Sequence, residues 1–194
     1  LIREDVVSKA VGILYDGVNG FASSIAQKPG VMGRIMDCLG IKPIDYSAGA
    51  EQTARKLLPG EEAPEREASR LGGLVIINAM IFQEVLSDSN SRIISLSNMP
   101  QEHIPGVEFA NHWRDIVREI DYWPIFHVAE AVVRNCTAHY EVQAAIEALS
   151  KAAQELVRMR APMRHDLMGR VYHRLLSGAN YLGTYYTSIP AATM

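Results

Sequence analysis

The sequence predicts an all-α protein, an irregular helical bundle that divides into as many as two helical subdomains. Apolar residues recur at helical spacing over several long segments. Proline and glycine separate these segments at positions that are typical of helix starts and ends. A composition of 48% hydrophobic and 21% charged residues is that of a globular protein that can bury a core. No internal repeat or heptad series indicates a solenoid or a long coiled coil.

The first third of the chain carries three short predicted helices. They cover residues 2–16, 31–39 and 48–58, all approximately. Gly40 is expected to end the second helix, and Pro59-Gly60 the third.

Residues 65–87 read as one long helix with acidic residues in its first turn, where the helix dipole favours them. Its interior, Leu74-Val-Ile-Ile-Asn78, is also typical of a buried strand. We favour the helix, because Gln83 and Glu84 continue the helical pattern and no partner strand is apparent elsewhere.

The second half begins after a polar stretch, Ser87 to Pro105, that predicts irregular structure. An apolar stripe from Trp113 to Ile120 predicts a helix that ends at Asp121, and Pro124 fits the first turn of the next one. Residues 139–160 carry the clearest periodicity of the chain. A last helix is predicted over residues 166–176, before Ser177-Gly178.

Composition and motifs exclude several classes of function. The histidines lack metal-ligand spacing and Cys38 and Cys136 form no Cys-x-x-Cys, so we predict no metal site and no disulfide framework. Phosphate-cradling and acyl-transfer motifs do not occur. The longest apolar run, Leu71 to Phe82, is too short to cross a bilayer, and the first residues lack a signal peptide pattern. We therefore expect a cytoplasmic protein with no membrane partner.

Charge is distributed unevenly along the chain. Residues 1–150 hold 13 Lys and Arg against 20 Asp and Glu, a net charge of −7. Residues 151–194 hold six against two, a net charge of +4. This basic cluster is a candidate DNA-binding surface, and solvated helix charges are the alternative interpretation. Its candidate phosphate contacts are Arg158, Arg160, Arg164, Arg170 and Arg174.

The C-terminal residues carry a family resemblance. Asp166-Leu-Met-Gly-Arg-Val-Tyr172 with Leu175, followed by Gly183-Thr-Tyr-Tyr-Thr187, resembles adenine-specific (N-6) DNA methyltransferases of restriction-modification type. In that family a helix Asp-Leu-x-Gly-Arg-x-Tyr-x-x-Leu and a Gly-x-Tyr-Tyr-Thr-Pro-like loop lead from a helical region into the S-adenosylmethionine-binding domain. The match covers about a sixth of the chain, and Ser188 and Ile189 stand between Thr187 and Pro190 where the family has Thr-Pro.

The resemblance implies roles for particular residues in the intact protein. Tyr185, Tyr186 and Thr187 would contact S-adenosylmethionine. The helix that contains Asp166, Gly169 and Tyr172 would support that loop, with an intrahelical Asp166–Arg170 pair as the purely structural alternative.

The catalytic motifs of the family are absent from these 194 residues. Neither the Asp-Pro-x-x-Gly-x-Gly turn that approaches the cofactor nor the Asn-Pro-Pro-Tyr-type loop that holds the flipped base occurs. We therefore expect a fragment that ends before the catalytic domain, is inactive by itself and contains no catalytic residue. The expected domains are an N-terminal helical subdomain (1–90), a connector (91–105), a C-terminal helical subdomain (106–177) and a tail (178–194) that leads into the cofactor-binding domain.

A weaker resemblance lies in the middle of the chain. The segment from Trp113 to Ala129, with its Tyr122-Trp-Pro-Ile-Phe126 turn, resembles the helical connector of methyltransferases fused to an upstream nuclease domain. Packing of aromatic residues between two helices explains the same pattern without chemistry. The partners implied are DNA, the chain's own downstream methyltransferase domain, and a specificity subunit or a fused nuclease. The alternative function is a self-contained helical ligand-binding or dimerisation domain unrelated to DNA.

Overall fold

The computed structural model describes residues 4–41, 64–100, 104–120 and 122–160. This part of the chain holds six α-helices, one short 3-10 helix and no strand, which confirms the predicted all-α class. In chain order the α-helices are α1 (Glu4–Ala26), α2 (Pro29–Leu39), α3 (Pro64–Ser87), α4 (Pro105–Glu119), α5 (Trp123–Arg134) and α6 (Tyr140–Arg160). The helices predicted over 48–58 and 166–176 lie outside the described residues.

Helix α1 is longer than its sequence predicts. It continues past residue 16 to Ala26, through Gly17 and Gly20, so the predicted end was wrong. A methyl group at Gly17 would lie 3.2 Å from the Leu149 side chain on α6, so the glycine allows the two helices to pack closely. This packing outweighs the low helix propensity of glycine.

A proline at the start of α2 and a glycine after its end set the bounds of this helix. Pro29 occupies the first turn, where a missing N–H costs nothing. Gly40 takes the left-handed conformation, with φ of 67°, and its N–H donates to Asp37 O while that of Ile41 donates to Met36 O. These two bonds form a Schellman motif and confirm the predicted stop at Gly40.

Helix α3 is the centre of the bundle, and it is helical throughout the segment for which a strand was the alternative. It packs against α1, α2, α5 and α6. Gly72 and Gly73 lie against the Phe21 ring, and a methyl group at Gly73 would approach the Val18 backbone to 3.4 Å. The two glycines therefore bring α1 and α3 close together. Ile76, Ile77 and Met80 are fully buried beneath them.

Helix α3 also has the length and apolar composition of a membrane-spanning helix. Residues 65–87 are long and apolar enough to cross a membrane, and half of that window is buried inside the bundle. The buried apolar side chains of α3 belong to the core that it forms with the four helices around it.

Helices α4 and α5 pack against each other through aromatic residues. Trp113 lies 5.4 Å from Phe109 and 6.2 Å from Phe126, measured between ring centroids, and all three rings are buried. The predicted packing of aromatics in this joint is therefore confirmed for Trp113 and Phe126. Tyr122 and Trp123 are exposed instead, because they stand at the start of α5, outside the joint.

One hydrophobic core runs through the described residues. It includes buried side chains from all six α-helices and from the connector between α3 and α4, where Ile93, Leu96 and Met99 are buried. The helices on both sides of residues 91–105 thus share a core, with α6 lying against α1 and α3.

Candidate functional site

Helix α6 carries the one predicted DNA-binding side chain that the structure describes. Val142, Ile146, Leu149, Ala153 and Leu156 form the buried face of this helix. Arg158 lies on its exposed face, close to its C-terminal end at Arg160. The position of Arg158 is compatible with a contact to a large ligand such as duplex DNA.

Ion pairs neutralise most of the charge along the exposed face of α6. Lys151 Nζ lies 2.7 Å from Glu147 Oε1, and Lys9 Nζ of α1 lies 3.0 Å from Glu155 Oε1. Arg158 takes part in no ion pair within the described residues. Its positive charge is therefore the one on this face that is not already matched by a carboxylate in the described part of the chain.

The other predicted site residues lie in or beyond the last turn of α6. The backbone of Arg160 belongs to α6, and its side chain is not among the described parts of the chain. The remaining members of the predicted sets lie outside the described residues; they are Arg164, Asp166, Gly169, Arg170, Tyr172, Arg174, Tyr185, Tyr186 and Thr187.

A buried polar network holds the connector between α3 and α4 in place. Gln83 is fully buried; its Nε2 donates to Ile94 O and its Oε1 accepts from Trp113 Nε1, both at 2.7 Å. Glu84 Oε2 accepts the Leu96 N–H at 2.6 Å. Two consecutive side chains of α3 thereby fix the backbone of the connector.

His112 anchors the same connector from α4. Its Nε2 accepts the Ile94 N–H at 3.0 Å, which requires that this nitrogen carries no proton. Burial lowers the pKa of His112, while nearby Asp115 acts in the opposite direction. The imidazole is therefore held in its neutral form as a structural acceptor.

Gln143 makes a comparable link between α6, α4 and the end of α5. Its Oε1 accepts the Gly106 N–H at 2.7 Å, and its Nε2 donates to Cys136 O at 2.9 Å. Both polar atoms of this buried amide are paired, and no buried side-chain nitrogen or oxygen is left without a partner among the residues described. These hydrogen bonds stabilise the packing of the helices.

Aromatic and imidazole rings meet on the surface of α5. The exposed Trp123 ring stacks on His127, with centroids 4.4 Å apart and planes inclined by 15°. Glu130, one turn after His127 on the same helix, forms an ion pair with Arg134. No group of three potential metal ligands occurs within 4–41, 64–100, 104–120 and 122–160.

The sequence did not identify the anchoring roles of Gln83, Gln143 and His112. The available signal was a polar residue inside an apolar helix, as with Gln83 after Ile81-Phe82. Such a position predicts a buried hydrogen bond but not its partner. Comparisons with protein-family models, with curated proteins and with solved structures gave no match for this chain.

Proposed function

We propose that this chain is a non-catalytic helical module of a DNA adenine-N6 methyltransferase from a restriction-modification system. It positions DNA or partner domains for methyl transfer from S-adenosylmethionine, in the cytoplasm. The observation that carries the proposal is the residue pattern from Asp166 to Thr187, which resembles the entry to the cofactor-binding domain of that family. The all-α bundle is compatible with the helical region that precedes this entry.

The motifs that are present and absent suggest which steps this module and a downstream domain would each carry out. These 194 residues lack the glycine-rich turn and the Asn-Pro-Pro-Tyr-type loop, so a downstream domain would bind the cofactor and hold the flipped base. Tyr185, Tyr186 and Thr187 would complete the cofactor site from the side of this module. The buried polar groups of the bundle are paired with one another, which favours a structural role for the described part.

DNA contact, in this proposal, begins at the C-terminal end of α6. Upstream on the same exposed face, Lys151 and Glu147 form an ion pair, so Lys151 has little charge to offer a phosphate. Arg158 is exposed and in no described ion pair, and the further arginines that follow it in sequence have the same sign. Phosphate contacts made by several arginines would make duplex affinity strongly dependent on salt.

The test is duplex affinity measured against salt concentration by fluorescence anisotropy. Arg158→Ala is expected to weaken binding and to reduce the slope of log K against log salt by about 1, as the loss of one phosphate contact does. Lys151→Ala is the matched control, because Lys151 is exposed on the same helix and already paired. An affinity independent of salt, or equal losses in the two variants, would refute DNA contact at this end.

The rival function is a dimerisation domain, and one observation favours it. Tyr122 and Trp123 expose 37% and 52% of their surfaces beside each other at the start of α5. Sedimentation equilibrium of the chain, with Trp123→Ala as the variant, separates the two functions. A dimer that dissociates in this variant, combined with no duplex affinity, would replace the methyltransferase proposal.

A further inference from the structure

The fold places Cys38 next to Asn135, the residue that precedes Cys136, although the two cysteines lie about 100 positions apart in sequence. Cys38 is on α2 and Cys136 follows α5. Cys38 is half-buried and Cys136 is fully buried. The two cysteines share no local motif, so their sequence positions do not predict a pairing.

Two hydrogen bonds hold the α2 face against the residue that precedes Cys136. Asn135 Nδ2 donates to Cys38 Sγ at 3.3 Å. Arg34, one turn before Cys38 on the same helix, donates from Nη2 to Asn135 O, also at 3.3 Å. Asn135 is itself fixed, because its side chain donates to Ala131 O. The position of Cys38 beside Asn135 is therefore set by the packing of α2 on α5.

The electrostatic environment agrees with this proximity. Burial raises the pKa of the Cys136 thiol to about 12, with Arg34 acting against the increase and nearby Cys38 adding to it. Burial also raises the pKa of Cys38, which the Asn135 hydrogen bond partly offsets. Of the two thiols, the half-buried Cys38 is the one that solvent reaches.

We infer that Cys38 and Cys136 form a thiol-oxidation site, which closes to an intramolecular disulfide between α2 and the end of α5 when a low-molecular-weight disulfide is the oxidant. In the first step the Cys38 thiolate attacks one sulfur of oxidised glutathione. The glutathione S–S bond breaks, and one glutathione leaves as a thiolate that takes a proton from water.

In the second step the Cys136 thiolate attacks Cys38 Sγ of the mixed disulfide. The bond between Cys38 and glutathione breaks and the second glutathione leaves. Two electrons pass from the protein to the oxidant, so two protein thiols and one glutathione disulfide become one protein disulfide and two glutathione molecules. The second step is slow at neutral pH, because the buried Cys136 is protonated there, and it accelerates as the pH rises.

The test treats the full 194-residue chain with oxidised glutathione, traps free thiols with an alkylating reagent and maps peptides without reduction. The expected product is a monomer that has lost both thiols, with the peptide of Cys38 joined to that of Cys136. Since the bond closes a loop of about 100 residues, Tm should rise by roughly 5–15 °C.

Two variants and an unfolded control sharpen the result. Cys136→Ala keeps an apolar side chain in the core and should stop at the Cys38–glutathione mixed disulfide. Cys38→Ser should leave Cys136 unreacted while the chain is folded. In urea with excess oxidised glutathione, both cysteines should instead end as mixed disulfides, because unfolding exposes Cys136 and separates it from Cys38. A wild-type chain that stops at the mixed disulfide, or that cross-links only between molecules, would overturn the inference.

Discussion

Replacement of Gln83 by alanine tests the buried network at the junction of α3, α4 and the connector. The variant leaves the Trp113 N–H without a partner in a fully buried position, at a cost of about 2 kcal/mol. The Ile94 carbonyl also loses its donor, but this residue is 39% exposed and water can replace the bond, so about 1 kcal/mol is expected. A lost buried methylene adds about 0.8 kcal/mol. The total predicted loss of stability is about 3–4 kcal/mol.

The assay is urea denaturation followed by helical circular dichroism, with a double-mutant cycle. Trp113→Phe removes the N–H donor and keeps an aromatic ring in the joint. Because both substitutions remove the same hydrogen bond, the double mutant should lose less unfolding free energy than the sum of the two single losses, with a coupling of about 1–2 kcal/mol. Gln154→Ala is the matched control, since it shortens a half-buried glutamine on α6 that has no hydrogen bond in the described part of the chain.

The expected loss in the control is below about 0.5 kcal/mol. A loss under about 1 kcal/mol for Gln83→Ala, or strict additivity with Trp113→Phe, would refute the reasoning. Either result would mean that the connector is not held by this side chain.

Three further predictions concern glycines, pH and the cofactor. Gly106→Ala would place a methyl group 2.9 Å from Oε1 of Gln143, whose amide is held by hydrogen bonds on both sides. The free energy of unfolding measured in urea should therefore fall by about 1–3 kcal/mol. In the control Gly33→Ala, at an exposed position on α2 with open space around it, the free energy of unfolding should rise by up to about 1 kcal/mol. The pKa of His112 is lower in the folded chain than its unfolded value of about 6.5. Its contribution to stability should therefore be complete above pH about 6.5 and be lost as the pH falls through the folded pKa. His112→Gln should weaken the dependence of the unfolding free energy on pH over that window, and an unchanged dependence would contradict the role of Nε2 as acceptor. The isolated chain should give no heat of S-adenosylmethionine binding in calorimetry, and a micromolar dissociation constant would show that it needs no further domain.

Much of the fold could be predicted, because helical periodicity and start and stop residues are local signals. Gly40 ends α2 as predicted, and Pro124 lies in the first turn of α5 as predicted. The end of α1 could not be predicted, because the reason for Gly17 lies on α6, far away in sequence. Helix α4 begins earlier than its apolar stripe, since its first turn carries Gly106, whose packing against Gln143 is also a tertiary feature.

The candidate site residues were likewise predictable only as far as local sequence patterns reach. Arg158 was predicted as a basic helix residue, and exposure of its side chain agrees with that expectation, whereas its contact with DNA stays a prediction. The hydrogen bond from Trp113 to Gln83 joins residues 30 positions apart, and that from Asn135 to Cys38 spans 97. No local pattern encodes such pairings, because they depend on how whole helices pack.

The most direct test of the proposed function is methyl transfer to DNA by the product of the whole gene. The protein would be incubated with duplex DNA and S-adenosylmethionine labelled in its methyl group, and the nucleosides would then be separated. We expect label in N6-methyladenine with the whole product and none with the 194-residue chain alone. An absence of label with the whole product, or labelling by these 194 residues alone, would contradict it.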